Sequence, residues 1–200
     1  MRFFILWGLL TPFSVLAGMN GIEPLTCNDK VRNVFRDTDC NFQAGISGWE
    51  VSAGKGFHDT SLGFIDGHSL GISAAEGSKL GKFSTIAGSP CLNIKSKALG
   101  KIVSTLNIRI HDASGLPWCV LITEIKNSCA PEYFVVQRAA SQVVMEMQDS
   151  DWLPFTTSLE LDGSGSHIRL ITACFADEPF STNIDNVDVE WIEEEANIEQ

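Results

Sequence analysis

Short runs in which apolar and polar residues alternate, broken by clusters of Gly, Ser, Asp and Pro, leave this chain few ways to fold. Leu106, Ile108 and Ile110 alternate with Asn107 and Arg109, and Ile168, Leu170, Thr172 and Cys174 repeat the spacing. A strand turns successive side chains to opposite faces, so each run describes a strand with one buried face. Helical spacing is hard to find beyond the N-terminus. Strands are expected near Gly48–Ser52, Ser69–Ala74, Leu80–Ile86, Ile102–Ile110 and Cys119–Lys126. Others are expected near Glu132–Gln137, Gln142–Met147, Phe155–Leu161, His167–Phe175 and Ile184–Ile192, with a turn at Asp162-Gly163-Ser164-Gly165. About eight to ten short strands joined by polar turns predict an all-β antiparallel β-sandwich.

The first residues set the compartment. Arg2 precedes an apolar stretch from Phe3 to Leu10, and Val15 and Ala17 are small residues suited to cleavage. This is the pattern of a secretory signal, cut after Ala17 or Gly18. A membrane anchor is the alternative, but the apolar core is shorter than the ~20 residues of a spanning helix, and Pro12 breaks it. Residues 1–17 are therefore expected to be a signal peptide and 18–39 an N-terminal extension with room for one short helical turn. Residues 40–192 are expected to form the sandwich, and 193–200 an acidic, frayed tail. The protein is expected to be secreted or periplasmic.

In an oxidising compartment six cysteines point to disulfides rather than metal, because no CxxC pair and no His at ligand spacing is present. Proximity in sequence favours Cys27–Cys40 and Cys119–Cys129, leaving Cys91–Cys174. The net charge of −11 argues against nucleic acid, since phosphate binding needs clustered Lys and Arg.

Four segments carry a resemblance. Asn41-Phe42-Gln43 with Gly48-Trp49-Glu50-Val51, then Asp66-Gly67-His68-Ser69-Leu70-Gly71-Ile72, Trp152-Leu153-Pro154-Phe155-Thr156 and Ile184-Asp185-Asn186-Val187-Asp188-Val189 follow one another in order. Together they resemble galactose-binding-like jelly-roll modules, and among these the xylan- and glucan-binding carbohydrate-binding type. The resemblance spans about Asp39 to Ile192 and implies a jelly roll that recognises a glycan or polysaccharide. It also implies a structural Ca²⁺ held by Asp185 with the N-terminal segment, where Asn41 and Gln43 stand; the family usually has an acid where this chain has Gln43. The residues themselves point the same way. By strict alternation Asp185 shares a face with Val187, Val189 and Trp191, and an inward carboxylate needs a partner such as a cation. A strand-end cap bonded to backbone N–H groups is the other reading of Asp185.

Sugar recognition requires aromatic platforms and polar neighbours. Trp49, Trp152 and Trp191 read as packing residues. Trp118, after Gly115-Leu116-Pro117, Tyr133, after Pro131, and Phe57, beside the polar loop with His58, Asp59, Asp66 and His68, are the candidate ligand contacts. A single Tyr is few for a sugar binder. A metal pair of His58 and His68 is a further option. No nucleophile elbow, P-loop or dinucleotide fingerprint is present, and no motif marks a glycosidase acid pair. A non-catalytic carbohydrate-binding module ranks first, an adhesion or protein-interaction domain second, and a small hydrolase third.

Overall fold

The computed structural model describes residues 33–35, 38–77, 80–94, 99–113, 115–131, 134–144 and 151–193. These contain no helix and twelve strands. In order they are β1 (Glu50–Ala53), β2 (Lys55–Asp59), β3 (Ser69–Ser73), β4 (Ala75–Glu76), β5 (Phe83–Gly88) and β6 (Leu92–Asn93). Then come β7 (Leu99–His111), β8 (Trp118–Lys126), β9 (Val135–Val144), β10 (Leu153–Asp162), β11 (His167–Ala176) and β12 (Ser181–Glu193). They build two antiparallel sheets. One runs β1-β5-β11-β8-β9, with β4 on β5 and β6 on β11; the other runs β10-β7-β12-β3-β2. This is the expected β-sandwich.

The core lies between the sheets. Ile102, Leu106, Ile108 and Ile110 of β7 meet Leu121 and Ile125 of β8 and Ile168 and Leu170 of β11, all buried. Polar side chains that fall on the inner faces are paired. The Thr123 hydroxyl donates to Ser104 at 3.0 Å, and Thr182 donates to Thr85 at 3.3 Å, both from one sheet to the other.

The alternating segments became strands where expected. Four segments did not follow the sequence reading: β9, β2 and the two-residue β4 and β6, which form only by pairing with β5 and β11. β9 is continuous through Ala139-Ala140-Ser141 because its backbone pairs with β8 from Lys126↔Val135 to Trp118↔Val144. Side-chain patterning sees only the interruption. β2 was not anticipated, since Lys55–Asp59 is short and polar; its pairing with β3 makes it a strand.

β12 departs from strict alternation. It pairs Asp185 with Asn107 and next Asp188 with Thr105, a bulge at which Asn186 takes a positive φ of 49°. The extra residue reverses the faces. Ile184 points inward before the bulge and Val187 and Val189 point inward after it, so Asp185 does not share their face. Beyond Ile184, β12 no longer pairs with β3. Residues 33–35 and 38–40 take that place: Val34 N donates to Val189 O at 2.8 Å, and Val187 N to Cys40 O at 2.9 Å. Asn33 Oδ1 accepts from Val189 N at 2.9 Å. This part of the anticipated extension belongs to the sandwich. The expected signal peptide lies outside the described residues, as does the tail after Glu193.

The disulfides correct the expectation from sequence proximity. Cys119 bonds Cys174 and Cys91 bonds Cys129, so Cys119–Cys129 and Cys91–Cys174 do not form. Sheet adjacency decides the pairing. β11 lies beside β8 with Cys174 directly opposite Cys119, Cα atoms 4.1 Å apart. Cys91 precedes β6, which pairs with the start of β11, the end of the sheet where the β8–β9 connection carries Cys129. Cys40 is disulfide-bonded, and its expected partner Cys27 lies outside the described residues.

The bonds close segments separated by 38 and 55 residues, for which chain entropy gives about 4 kcal/mol each. Replacing Cys119 and Cys174 together by Ala is expected to lower unfolding free energy in urea by ~3–4 kcal/mol. An unchanged midpoint would show that the cross-link adds no stability.

Candidate functional site

The outer face of the five-stranded sheet is polar and ordered in rows. Register places Phe57, Gly71, Asn183 and Arg109 side by side on β2, β3, β12 and β7. One neighbouring row holds Lys55, Ser73, Ser181 and His111, and on the other side stand the pairs Asp59–Ser69 and Asp185–Asn107. All face away from the core because their strand neighbours Leu70, Ile72, Ile184, Ile108 and Ile110 fill it.

Phe57 lies over Gly71, where a Cβ would collide with its ring. Glycine thus lets the ring lie against the backbone of β3 while 40% of the residue stays exposed. Beside it a hydrogen-bonded chain crosses four strands. His111 Nε2 donates to Asn183 Oδ1 at 2.7 Å, and Asn183 Nδ2 donates to Ser69 Oγ at 2.8 Å and Asp59 Oδ2 at 3.1 Å. Asp59 Oδ1 accepts from Ser61 N at 2.9 Å and Ser61 Oγ at 2.8 Å. Partial burial pushes the Asp59 carboxyl up, but the bonds from Ser61 and Asn183 outweigh it and hold it below the ordinary value. The carboxylate is therefore a fixed acceptor.

The loop joining β2 to β3 closes one end of this face. Phe64 N donates to Asp185 Oδ2 and Asn186 N to Oδ1, each at 2.6 Å, and Phe64 meets the Trp152 ring edge-on at 6.1 Å. The loop buries Asp185, which is 1% exposed although it springs from the outer side of the sheet. Burial, reinforced by the Asp66 charge, pushes its carboxyl up to about 7 against the pull of the backbone donors. Asp66 gathers the N-terminal segment: its Oδ2 accepts from Asn41 Nδ2 at 3.0 Å and Gln43 Nε2 at 2.7 Å. His68 N donates to the other oxygen at 3.1 Å. His68 Nδ1 also meets His58 Nε2 at 3.3 Å, one ring donating and the other accepting.

The sequence-selected residues thus divide. Phe57, His58, Asp59 and His68 come together around β2 and its loop, and Asn41 and Gln43 join Asp66 beside Asp185. Trp118 is elsewhere: it stacks on Phe175 at 4.5 Å on the outer face of the other sheet. Tyr133 lies outside the described residues. Trp49 packs against Phe42 at 5.4 Å. Sequence reasoning overlooked Asn183, Ser69, Arg109 and His111 as site residues. Their signal was the polar half of the alternation, since Asn107, Arg109 and His111 are the outward positions of the most regular strand.

No protein-family model and no curated protein matches the sequence. Solved structures do. The chain is similar to the carbohydrate-binding module TmCBM61 in complex with β-1,4-galactotriose, with 14% identity and a TM-score of 0.55 over 82% of this chain and 99% of that one. It is similar to the CBM22-1 xylan-binding domain of Paenibacillus barcinonensis Xyn10C, at 15% identity and a TM-score of 0.52 over 77% and 92%. The enzymatically active domain of bacteriophage CBA120 tailspike protein 4 also matches, at 11% identity and a TM-score of 0.56, over 80% of this chain and 22% of that one. At these identities the shared property is the fold: this chain has the jelly-roll β-sandwich of these structures.

Proposed function

We propose that the protein is an exported, non-catalytic carbohydrate-binding module that lays a glycan across the outer face of β2, β3, β12 and β7. The observation that carries this is the Phe57 ring, its far end against Gly71 and 40% of the residue exposed, beside the chain His111–Asn183–Asp59. A pyranose presents an apolar face for an aromatic ring and a rim of hydroxyls for fixed donors and acceptors. Phe57 supplies the first; Asp59, His111 and Arg109 supply the second, with the buried Asn183 holding Asp59 and His111 in place. The galactotriose and xylan named for the similar structures support the same class of ligand. The disulfides support export.

The carboxylates favour binding over hydrolysis. Glycosidases need one acid kept protonated at the scissile bond and a second carboxylate across from it. Asp59 is held ionised, and Asp185, the carboxyl pushed upward, is sealed beneath Phe64.

Asp185, Asp66, Asn41 and Gln43 are proposed to hold the structural Ca²⁺. A buried carboxyl raised by a neighbouring acid is one that a cation would relieve; Asn41 and Gln43, which here donate Nδ2 and Nε2 to Asp66, would turn their amide oxygens inward to complete the ligand set. Bound there, the ion would tie the N-terminal segment to the β2–β3 loop and β12.

Retention in affinity electrophoresis through xylan, β-1,4-galactan or mixed-linkage glucan is expected. Phe57→Ala should weaken it at least tenfold, ~1.4 kcal/mol, with the melting temperature nearly unchanged. Full-strength binding by that variant, or no binding to any glycan tested, would sink the proposal. In EDTA the melting temperature should decline as pH rises from about 4 to about 7, because a carboxyl whose folded pKa lies above its unfolded value costs stability once it ionises, by up to ~1.4 kcal/mol per pH unit. Millimolar Ca²⁺ should raise the melting temperature by several degrees at pH 7.5, and an unchanged value would remove the calcium site.

A further inference from the structure

Two of the four histidines meet at the foot of the β2–β3 loop, off the face assigned to the glycan. His58 leaves β2 on the side opposite Phe57 and Asp59, and His68 stands immediately before β3. His68 Nδ1 and His58 Nε2 are 3.3 Å apart, with ring centroids 5.3 Å apart and planes inclined by 24°. The nitrogens are far closer than the centroids, so the rings meet through their nitrogens. In the neutral pair one nitrogen donates a proton and the other presents its lone pair. Both rings are half-buried, and neither bonds a carboxylate among the described residues. The other two histidines stand apart from this pair, His111 on Asn183 and His167 on Ser166.

We propose that His58 and His68 form a binding site for a divalent transition-metal ion, Zn²⁺ foremost, with water completing its coordination. Spacing selects the ion. Two nitrogens held ~2.0–2.1 Å from a tetrahedral Zn²⁺ stand about 3.3–3.4 Å apart, the separation these two already have. Each ring has only to turn until both lone pairs converge on one point beside the line that joins them. The proton now shared between the rings passes through solvent to the far nitrogen of its own ring, so both imidazoles bind neutral. Ligand type separates this site from the proposed calcium site. Imidazole nitrogen suits Zn²⁺, Cu²⁺ and Ni²⁺, whereas Ca²⁺ takes oxygen. Asp66 bonds the backbone N of His68 and not its ring. Charge favours a cation here. Asp59, next to His58, is held ionised, Asp66 lies two residues before His68, and residues 60–67 include no Lys or Arg. Among the described residues no three side chains of His, Cys, Asp or Glu converge to hold an ion. With two protein ligands the site is therefore of modest affinity, dissociating at roughly 10–100 μM. The ion would fasten the end of β2 to the start of β3, the two feet of the loop that covers Asp185.

Calorimetric titration of zinc chloride into the wild-type chain, free of any polyhistidine tag and kept in millimolar Ca²⁺ near neutral pH, tests this. The Ca²⁺ fills oxygen-rich sites throughout, so the two ions are read apart. One saturable zinc site is expected. His58→Gln or His68→Gln should weaken it at least tenfold, while His167→Gln keeps it. Nitrogen NMR of the wild type needs no variant and decides the matter if a substituted chain does not fold. Zn²⁺ should shift the imidazole nitrogens of His58 and His68 and leave those of His111 and His167 in place. No saturable site up to about 1 mM Zn²⁺, undiminished binding by a folded His58→Gln or His68→Gln chain, or shifts confined to His111 and His167 would each overturn the site.

Discussion

The bulge in β12 governs the rest of the molecule. A strand in the middle of a sheet must send its side chains alternately to core and surface, and one inserted residue at Asn186 exchanges those roles partway along. The first half of β12 spends its outward positions on Asn183 and Asp185; the second half keeps Val187 and Val189 in the core. Without that reversal either the polar pair or the two valines would face the wrong way. The bulge also ends the pairing with β3 and leaves the edge that residues 33–35 and 38–40 fill. A single left-handed residue thereby sets where the polar rows begin, why a carboxylate is buried, and where the N-terminal segment docks.

The strands were legible in the sequence because alternation is a local property, and Leu106 to Ile110 announce β7 without help. Pairing is not local. Cys174 meets Cys119 because β11 threads between β5 and β8, and neither sequence distance nor elimination carries that information. Asp185 was singled out correctly as a buried carboxylate, but the reason was inverted. It is buried by a loop laid over the outer face and not by the core, since counting every second residue cannot foresee a bulge. β2 escaped notice because Lys55–Asp59 has no apolar period, and its strand character comes from β3.

The site was half legible for the same reason. Phe57, His58, Asp59 and His68 are close in sequence and stay close in space. Asn183, His111 and Ser69 come from three strands and meet only when the sheet assembles. Trp118 looked like a platform from its place after Gly115-Leu116-Pro117, yet the strand parity fixed by Cys119 sends it to the opposite outer surface. The two outer faces thus differ in kind, one polar and hydrogen-bonded across strands, the other bearing the stack of Trp118 on Phe175.

The two disulfides formed among the described residues both serve the seven-stranded sheet and its connections, while no strand of the sheet bearing Phe57 and Asn183 carries a cysteine; Cys40, also disulfide-bonded, stands on the segment beside β12. A chain unfolded without reduction is therefore not a free coil. β8 and β11 remain tethered at the point where they pair, and the long-range search for that contact has already been made. The polar sheet keeps no such memory and must find β12 between β7 and β3 on every attempt. The surface proposed to meet the glycan is thus the part of the fold that must be assembled anew each time.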